Sequence, residues 1–109
     1  MEIEIKNKMN IPANILHNYS SKLVSAEEAV SVIKSNDIIV VHSNCAMPYK
    51  LIDAMVERRA DLENVKLIHA LSVGKLSYLQ PGMEKHFRHI ATFMGDEARK
   101  AVADGRADF

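Results

Sequence analysis

The stretch Asp37-Ile38-Ile39-Val40-Val41-His42 most limits how this chain folds. Four consecutive β-branched residues lose side-chain freedom in a helix and pack well on a pleated surface, so the run predicts a strand. Its near-continuous apolar character predicts burial on both faces, as in a parallel sheet. The loop Ser43-Asn44-Cys45-Ala46-Met47 follows, and Pro48 then suits the first position of a helix, where its missing N–H costs nothing. Leu51, Ile52, Met55 and Val56 recur at helical spacing, and the helix is predicted to run to about Ala60. Asp61 to Asn64 turn the chain back, and Val65 to Leu71 is a second predicted strand. Strand, crossover helix and strand make a βαβ unit, parallel and right-handed by strong preference.

The flanks extend this unit. Ser25 is the expected N-cap of a helix from about Ala26 to Lys34, with Glu28 completing a capping box. Ala26, Ala29, Val30 and Ile33 share one face of that helix, and Asn36 is suited to the left-handed conformation that closes it. Ser72 to Lys85 reads as a long loop punctuated by Gly74, Pro81 and Gly82, and long loops often carry function. Arg88 to Met94 is a third predicted strand. Gly95-Asp96 opens a last helix with Ala98, Ala101 and Val102 on its inner face and Gly105 as its stop. Residues 1–24 are weakly patterned: Glu2-Ile3-Glu4-Ile5 fits a short strand or a tail, Pro12 breaks any earlier helix, and Tyr19 to Lys22 reads as loop. The expected organisation is an N-terminal segment, 1–24, and an α/β domain, 25–109, with an open, mostly parallel sheet and flanking helices. Arg106-Ala107-Asp108-Phe109 reads as the entry to a further strand, which leads to the expectation that this is the front part of a longer protein.

Charge excludes some function classes. Lysine plus arginine and aspartate plus glutamate number 14 each. A balanced chain lacks the concentrated positive face that nucleic acid or an anionic membrane demands. The basic doublets Arg58-Arg59 and Arg99-Lys100 are expected on solvated helix faces. Cys45 is the only cysteine, so no internal disulfide forms and a reducing compartment fits. No signal peptide is visible, and the longest apolar run, Ile38 to Val41, is far too short to span a bilayer. A soluble cytoplasmic protein is the expectation.

The candidate site is the loop Ser43 to Met47, because ligands of open parallel sheets bind beyond the carboxyl ends of the strands. The four glycines, Gly74, Gly82, Gly95 and Gly105, lie outside it and form no phosphate-binding motif. Cys45 with His42 as its base is a weaker reading than a small apolar thiol. His17, His42, His69, His86 and His89 lack the spacing of a zinc site and are expected to be hydrogen-bonded structural residues. No carboxylate looks poised for covalent catalysis. Glu84 in the long loop reads as a surface group, and Tyr78, Met83, Phe87 and Phe93 as packing residues.

Three stretches together resemble the N-terminal part of the acetyl-CoA hydrolase/transferase family, in its 4-hydroxybutyrate and butyryl-CoA:acetate CoA-transferase branch. They are Ser21 to Val30; Ala46-Met47-Pro48 with Leu51 to Arg58; and His86-Phe87-Arg88-His89 through Phe93-Met94-Gly95 and Arg99-Lys100-Ala101-Val102 to Gly105–Phe109. The resemblance covers about residues 20–109. It implies a CoA-transferase-like fold and transfer of coenzyme A, as substrate rather than bound cofactor, between a short acyl-CoA and a carboxylate such as acetate or 4-hydroxybutyrate; the alternatives are an acyl-CoA hydrolase of the same family and a non-catalytic ligand-binding or interaction module. In the family a glutamate attacks the thioester and becomes a glutamyl-CoA intermediate. That glutamate lies in a second half that this chain lacks, so no catalytic residue or metal ligand is assigned, and the piece alone is expected to be inactive. The resemblance further implies a homo-oligomer. What carries over is substrate contact by Ser43, Asn44, Cys45, Ala46, Met47 and Pro48, the loop that faces the cleft from the first half. Asn44 and Cys45 depart from its common glycine-containing form, and Asn36 also stands where a glycine is common.

Overall fold

The four strands β1 (Ile38–Val41), β2 (Val65–His69), β3 (Phe87–Ala91) and β4 (Ala107–Asp108) lie side by side in sequence order, all parallel. The computed structural model in which they are seen describes residues 12–109. The helices are α1 (Ala13–Tyr19), α2 (Ala26–Val30), α3 (Tyr49–Glu57) and α4 (Asp96–Ala103). The register sets Val40 beside Ile68 and Ile68 beside Ile90.

This strand order has a physical consequence. Right-handed crossovers that all step in one direction put every connecting segment on the same face of the sheet. Burial alternates along the strands accordingly. Val65, Leu67, Phe87 and Ala107 are buried against α3, α4 and the 3₁₀ turn Ser77–Leu79. On the other face Ile38 is 64% and Val40 80% exposed, and Ile68 and Ile90 are half-buried. The expectation that β1 is buried on both faces is therefore corrected. Its apolar run suits a strand with two covered faces, but every covering element among the described residues lies on one.

Local signals decide the helices. The Ser25 hydroxyl accepts from the Glu28 N–H at 3.1 Å and starts α2. That helix ends at Val30, earlier than expected, and turns carry the chain to Asn36 at φ 69°. Arg58 explains how this short helix is held. Its guanidinium donates to the carbonyls of Val30 and, at 3.2 Å, Ile33, so it is a half-buried clamp rather than the solvated residue expected. Ile52, Met55 and Val56 are the buried stripe of α3, while Leu51 sits at its rim. Pro48 precedes α3 as its N-cap, one position earlier than expected. β2 and β3 end at His69 and Ala91, short of the predicted ends, which leaves Phe93 64% exposed instead of packed. Helix α1 falls in a segment read as unpatterned, and its described side chains are exposed. The strand considered for Glu2–Ile5 lies outside the described residues.

Candidate active site

Beyond the carboxyl ends of β2 and β3 lies a cleft of about 720 Å³. One wall is the start of the β2–β3 crossover, Leu71 to Lys75, with Gln80 behind it. The other is the start of α4, Gly95 to Glu97 with Lys100. The two walls touch at Gly95, where a Cβ would fall 2.4 Å from the Ser72 carbonyl oxygen. Gly95 has φ −82°, open to any residue, so it is the space and not the backbone angle that demands glycine. No side chain caps α4, which leaves its first N–H groups free to face an anion. Ser72 is only 6% exposed, and its hydroxyl has no hydrogen-bond partner among the described residues. Lys75 and Lys100 supply ammonium groups, and Asp96 and Glu97 supply carboxylates, with Lys100 3.6 Å from Glu97. Such a mixed rim suits a ligand with one anionic end. The cleft contains no buried carboxylate that would serve as a nucleophile.

The Ser43–Pro48 segment stands against the same crossover as a brace. The Ser43 hydroxyl accepts from the N–H groups of Ala70 and Leu71, each at 3.2 Å, and the Asn44 N–H donates to the Leu71 carbonyl at 3.0 Å. Met47 is buried and its Sδ accepts from the Val73 N–H at 3.4 Å. Asn44, Cys45 and Ala46 form an exposed 3₁₀ turn, and Pro48 is half-buried. None of the six lines the cleft just described; Ser43 borders a shallower groove on the open sheet face, beside Val40, His42 and Ile68. Cys45 and His42 are both exposed.

Asn44 takes φ 55°. That angle explains why asparagine can stand in place of a glycine, since it tolerates the left-handed region better than other side chains. Asn44→Val is expected to lower stability by about 1–2 kcal/mol and Asn44→Gly by less than about 1 kcal/mol, read as shifts in the urea midpoint.

Behind the cleft lies a buried polar cluster. The Tyr78 hydroxyl is 3.0 Å from His69 Nε2 and 2.8 Å from His89 Nδ1. All three side chains are at most 1% exposed. Burial holds the His69 pKa below the usual histidine range. Burial, reinforced by the nearby His69, brings His89 down to about 4. The Tyr78 hydroxyl is pushed above its ordinary value by the same desolvation. His86 donates from Nδ1 to the Leu62 carbonyl at 2.7 Å. No group of three or more histidine, cysteine, aspartate or glutamate side chains among the described residues could hold a metal ion. Glu84 is an exposed loop carboxylate whose pKa is lowered by hydrogen bonds from its own N–H and that of Gly82.

A sequence profile of the acetyl-CoA hydrolase/transferase N-terminal domain matches residues 6–109. The chain belongs to this family. The 4-hydroxybutyrate coenzyme A transferase of Clostridium kluyveri is 38% identical over 91 residues, 84% of this chain and 21% of that protein. A succinyl-CoA:acetate/propanoyl-CoA:succinate CoA transferase of Fasciola hepatica is 30% identical over 87 residues, 78% of this chain and 18% of that protein. The chain thus spans about a fifth of the length of these relatives. Among solved structures, RipA from Yersinia pestis superposes with a TM-score of 0.73 at 24% identity, over 84% of this chain and 22% of that one, a likeness of fold. The part of the family's N-terminal domain matched by this chain thus contains the four-stranded parallel sheet described above, with a cleft beyond the carboxyl ends of β2 and β3. No helix among the described residues is long and apolar enough to cross a membrane.

Sequence reasoning chose the β1 loop and missed Ser72 and Gly95 as cleft residues. Gly74 and the length of the 72–85 segment were the available signals. Nothing local marked Ser72 and Gly95 as neighbours.

Proposed function

We propose that this chain is the front α/β part of a CoA-transferase. The whole protein moves coenzyme A from a short acyl-CoA to a free carboxylate such as acetate or 4-hydroxybutyrate, releasing the first acid and forming the second thioester. The nucleophile is a glutamate outside this chain, which passes through a glutamyl-CoA thioester, and the 109-residue chain alone is inactive. The observation that carries the reading is the 38% identity over 91 residues with a 4-hydroxybutyrate coenzyme A transferase. The cleft's chemistry agrees. A carboxylate or thioester oxygen is suited to the free N–H groups of α4 and the Lys75 and Lys100 ammonium groups.

Within this reading Ser43 and Met47 set the height of the crossover, and the exposed Asn44, Cys45 and Ala46 with Pro48 shape the acyl end of the pocket from the side. The remaining polypeptide of a chain about five times longer covers the open sheet face around Val40 and Ile68. The protein acts as a homo-oligomer in the cytoplasm.

The test is direct. The full-length native protein is supplied with butyryl-CoA and acetate, and acetyl-CoA is followed by chromatography. Acetyl-CoA that forms only when acetate is present supports the transferase. Thioester loss at the same rate without acetate would make the protein a hydrolase, in which water takes the place of the acceptor acid. No consumption of butyryl-CoA, acetyl-CoA or 4-hydroxybutyryl-CoA under either condition sinks the reading.

A further inference from the structure

The β2–β3 crossover carries Ser72 and Gly74 into the cleft. It is pinned at few places. Tyr49 donates to the Val73 carbonyl, Ser77 donates to Asp53 at 2.8 Å, Arg106 donates to the Leu79 carbonyl, and Gln80 donates back to Leu76 at 2.9 Å. Two pins reach into the core: Met47 Sδ accepts from the Val73 N–H at 3.4 Å, and the Tyr78 hydroxyl meets the end of β2 through His69 and the middle of β3 through His89. One hydroxyl has one proton and faces two ring nitrogens. If Tyr78 donates to His89 Nδ1, then His69 must donate from Nε2, and both rings carry their proton on Nε2. If Tyr78 donates to His69 Nε2, then His89 must donate from Nδ1, and both rings carry it on Nδ1. The other two combinations leave one of the two contacts without a proton or the hydroxyl proton without an acceptor.

We propose that Tyr78 is a positioning residue for the cleft: its single hydroxyl proton, shared with His69 and His89, clasps the crossover to the sheet and locks the two histidines in the same tautomer. The proposal rests on the cleft being the substrate site only for its kinetic consequence. The surroundings do not compete for the proton. The side chains that α3 and α4 bury toward this region are apolar, Ile52, Met55 and Val56 from one and Ala98 and Ala101 from the other. Of the charged groups that contact the crossover, Asp53 of α3 is engaged by Ser77, and Arg106, which precedes β4, by the Leu79 carbonyl and Asp104. The outer nitrogens, His69 Nδ1 and His89 Nε2, have no partner among the described residues, so Tyr78 is what couples the tautomers of the two rings.

The experiment is two-bond proton–nitrogen NMR of the native protein with labelled histidine at pH 7.5, His69 and His89 being assigned by single His→Gln variants. Both rings in one and the same tautomer is the expected result. One ring in each tautomer, or a charged ring, overturns the clasp. Tyr78→Phe is then expected to raise amide exchange at Leu79 about tenfold while β1 is unchanged, and to raise KM for the carboxylate more than it lowers kcat. Unchanged exchange at Leu79 overturns the positioning role. Should Tyr78→Phe fail to fold, the tautomer result on the unsubstituted protein still decides. If the native protein transfers no CoA, the tautomer and exchange results stand apart from that failure.

Discussion

Gly95→Ala is expected to destabilise the chain by about 3 kcal/mol and to abolish any activity housed in the cleft. The added Cβ would sit 2.4 Å from the Ser72 carbonyl oxygen, well inside van der Waals contact. The obstacle is main chain, so no rotamer change relieves it. Either α4 shifts outward or the crossover does, and each motion pulls one wall of the cleft from the other. Leu71 Cδ1 and the Ser72 carbonyl carbon, both 3.7 Å from the same point, leave little room for a sideways escape. Gly82 is the useful contrast. A Cβ there meets nothing within 4 Å, and only its φ of 92° opposes alanine, a cost of about 1 kcal/mol. Urea denaturation of the two variants separates steric from conformational demand. Equal losses at the two positions would show that the Ser72–Gly95 approach is looser than described.

Acidification from pH 6.5 to 4 is expected to cost about 3 kcal/mol of stability through His89 alone, with His69 adding to the loss. The sign follows from the direction of the shifts. Both histidines have pKa values below the ordinary 6.5, and His89 is held at about 4. Below pH 6.5 the unfolded chain therefore binds protons that the folded chain refuses. Stability is fully present above about pH 6.5, falls as pH drops toward 4, and levels off for these groups below that. The carboxylates with lowered pKa values, such as Glu63 and Asp108, are exposed and lose their small contributions only in the carboxylate range. The check is a series of urea midpoints between pH 8 and pH 4, repeated for His89→Gln. A flat native profile across that interval would mean that the cluster is solvated. The expected variant keeps only the shallower slope due to His69.

Much of the architecture was readable residue by residue. The β-branched run at 38–41 marks a strand, though not its burial, and the stripe Ile52, Met55 and Val56 and the small residues Ala98 and Ala101 report a burial that the helical period makes legible. Ser25 and Gly105 mark helix ends, and Asn36 takes the left-handed conformation expected of it though its helix stops at Val30, because capping and left-handed backbone are local demands. The resemblance to the CoA-transferase front domain was also carried by contiguous stretches, above all the one ending in Gly105–Phe109.

The candidate site was less legible. The loop Ser43–Pro48 was found because it leaves a strand end, yet its partners are backbone groups of residues 70–73, about 27 positions away. Arg58 reads as a surface cation until the carbonyls of Val30 and Ile33 are brought to it. Tyr78 reads as ordinary packing until two histidines from different strands converge on its hydroxyl.

By itself, then, the sequence determined the kind and order of the elements, the parallel sense of the sheet and the family, since these follow from local periodicity, capping and the handedness of crossovers. Only the tertiary structure decided which face of the sheet stays open, that Ser72 and Gly95 meet to build the cleft, and that Tyr78 sits between His69 and His89. Those are contacts between segments far apart along the chain, and a one-dimensional pattern of apolar and polar residues does not say which distant partner a side chain will meet.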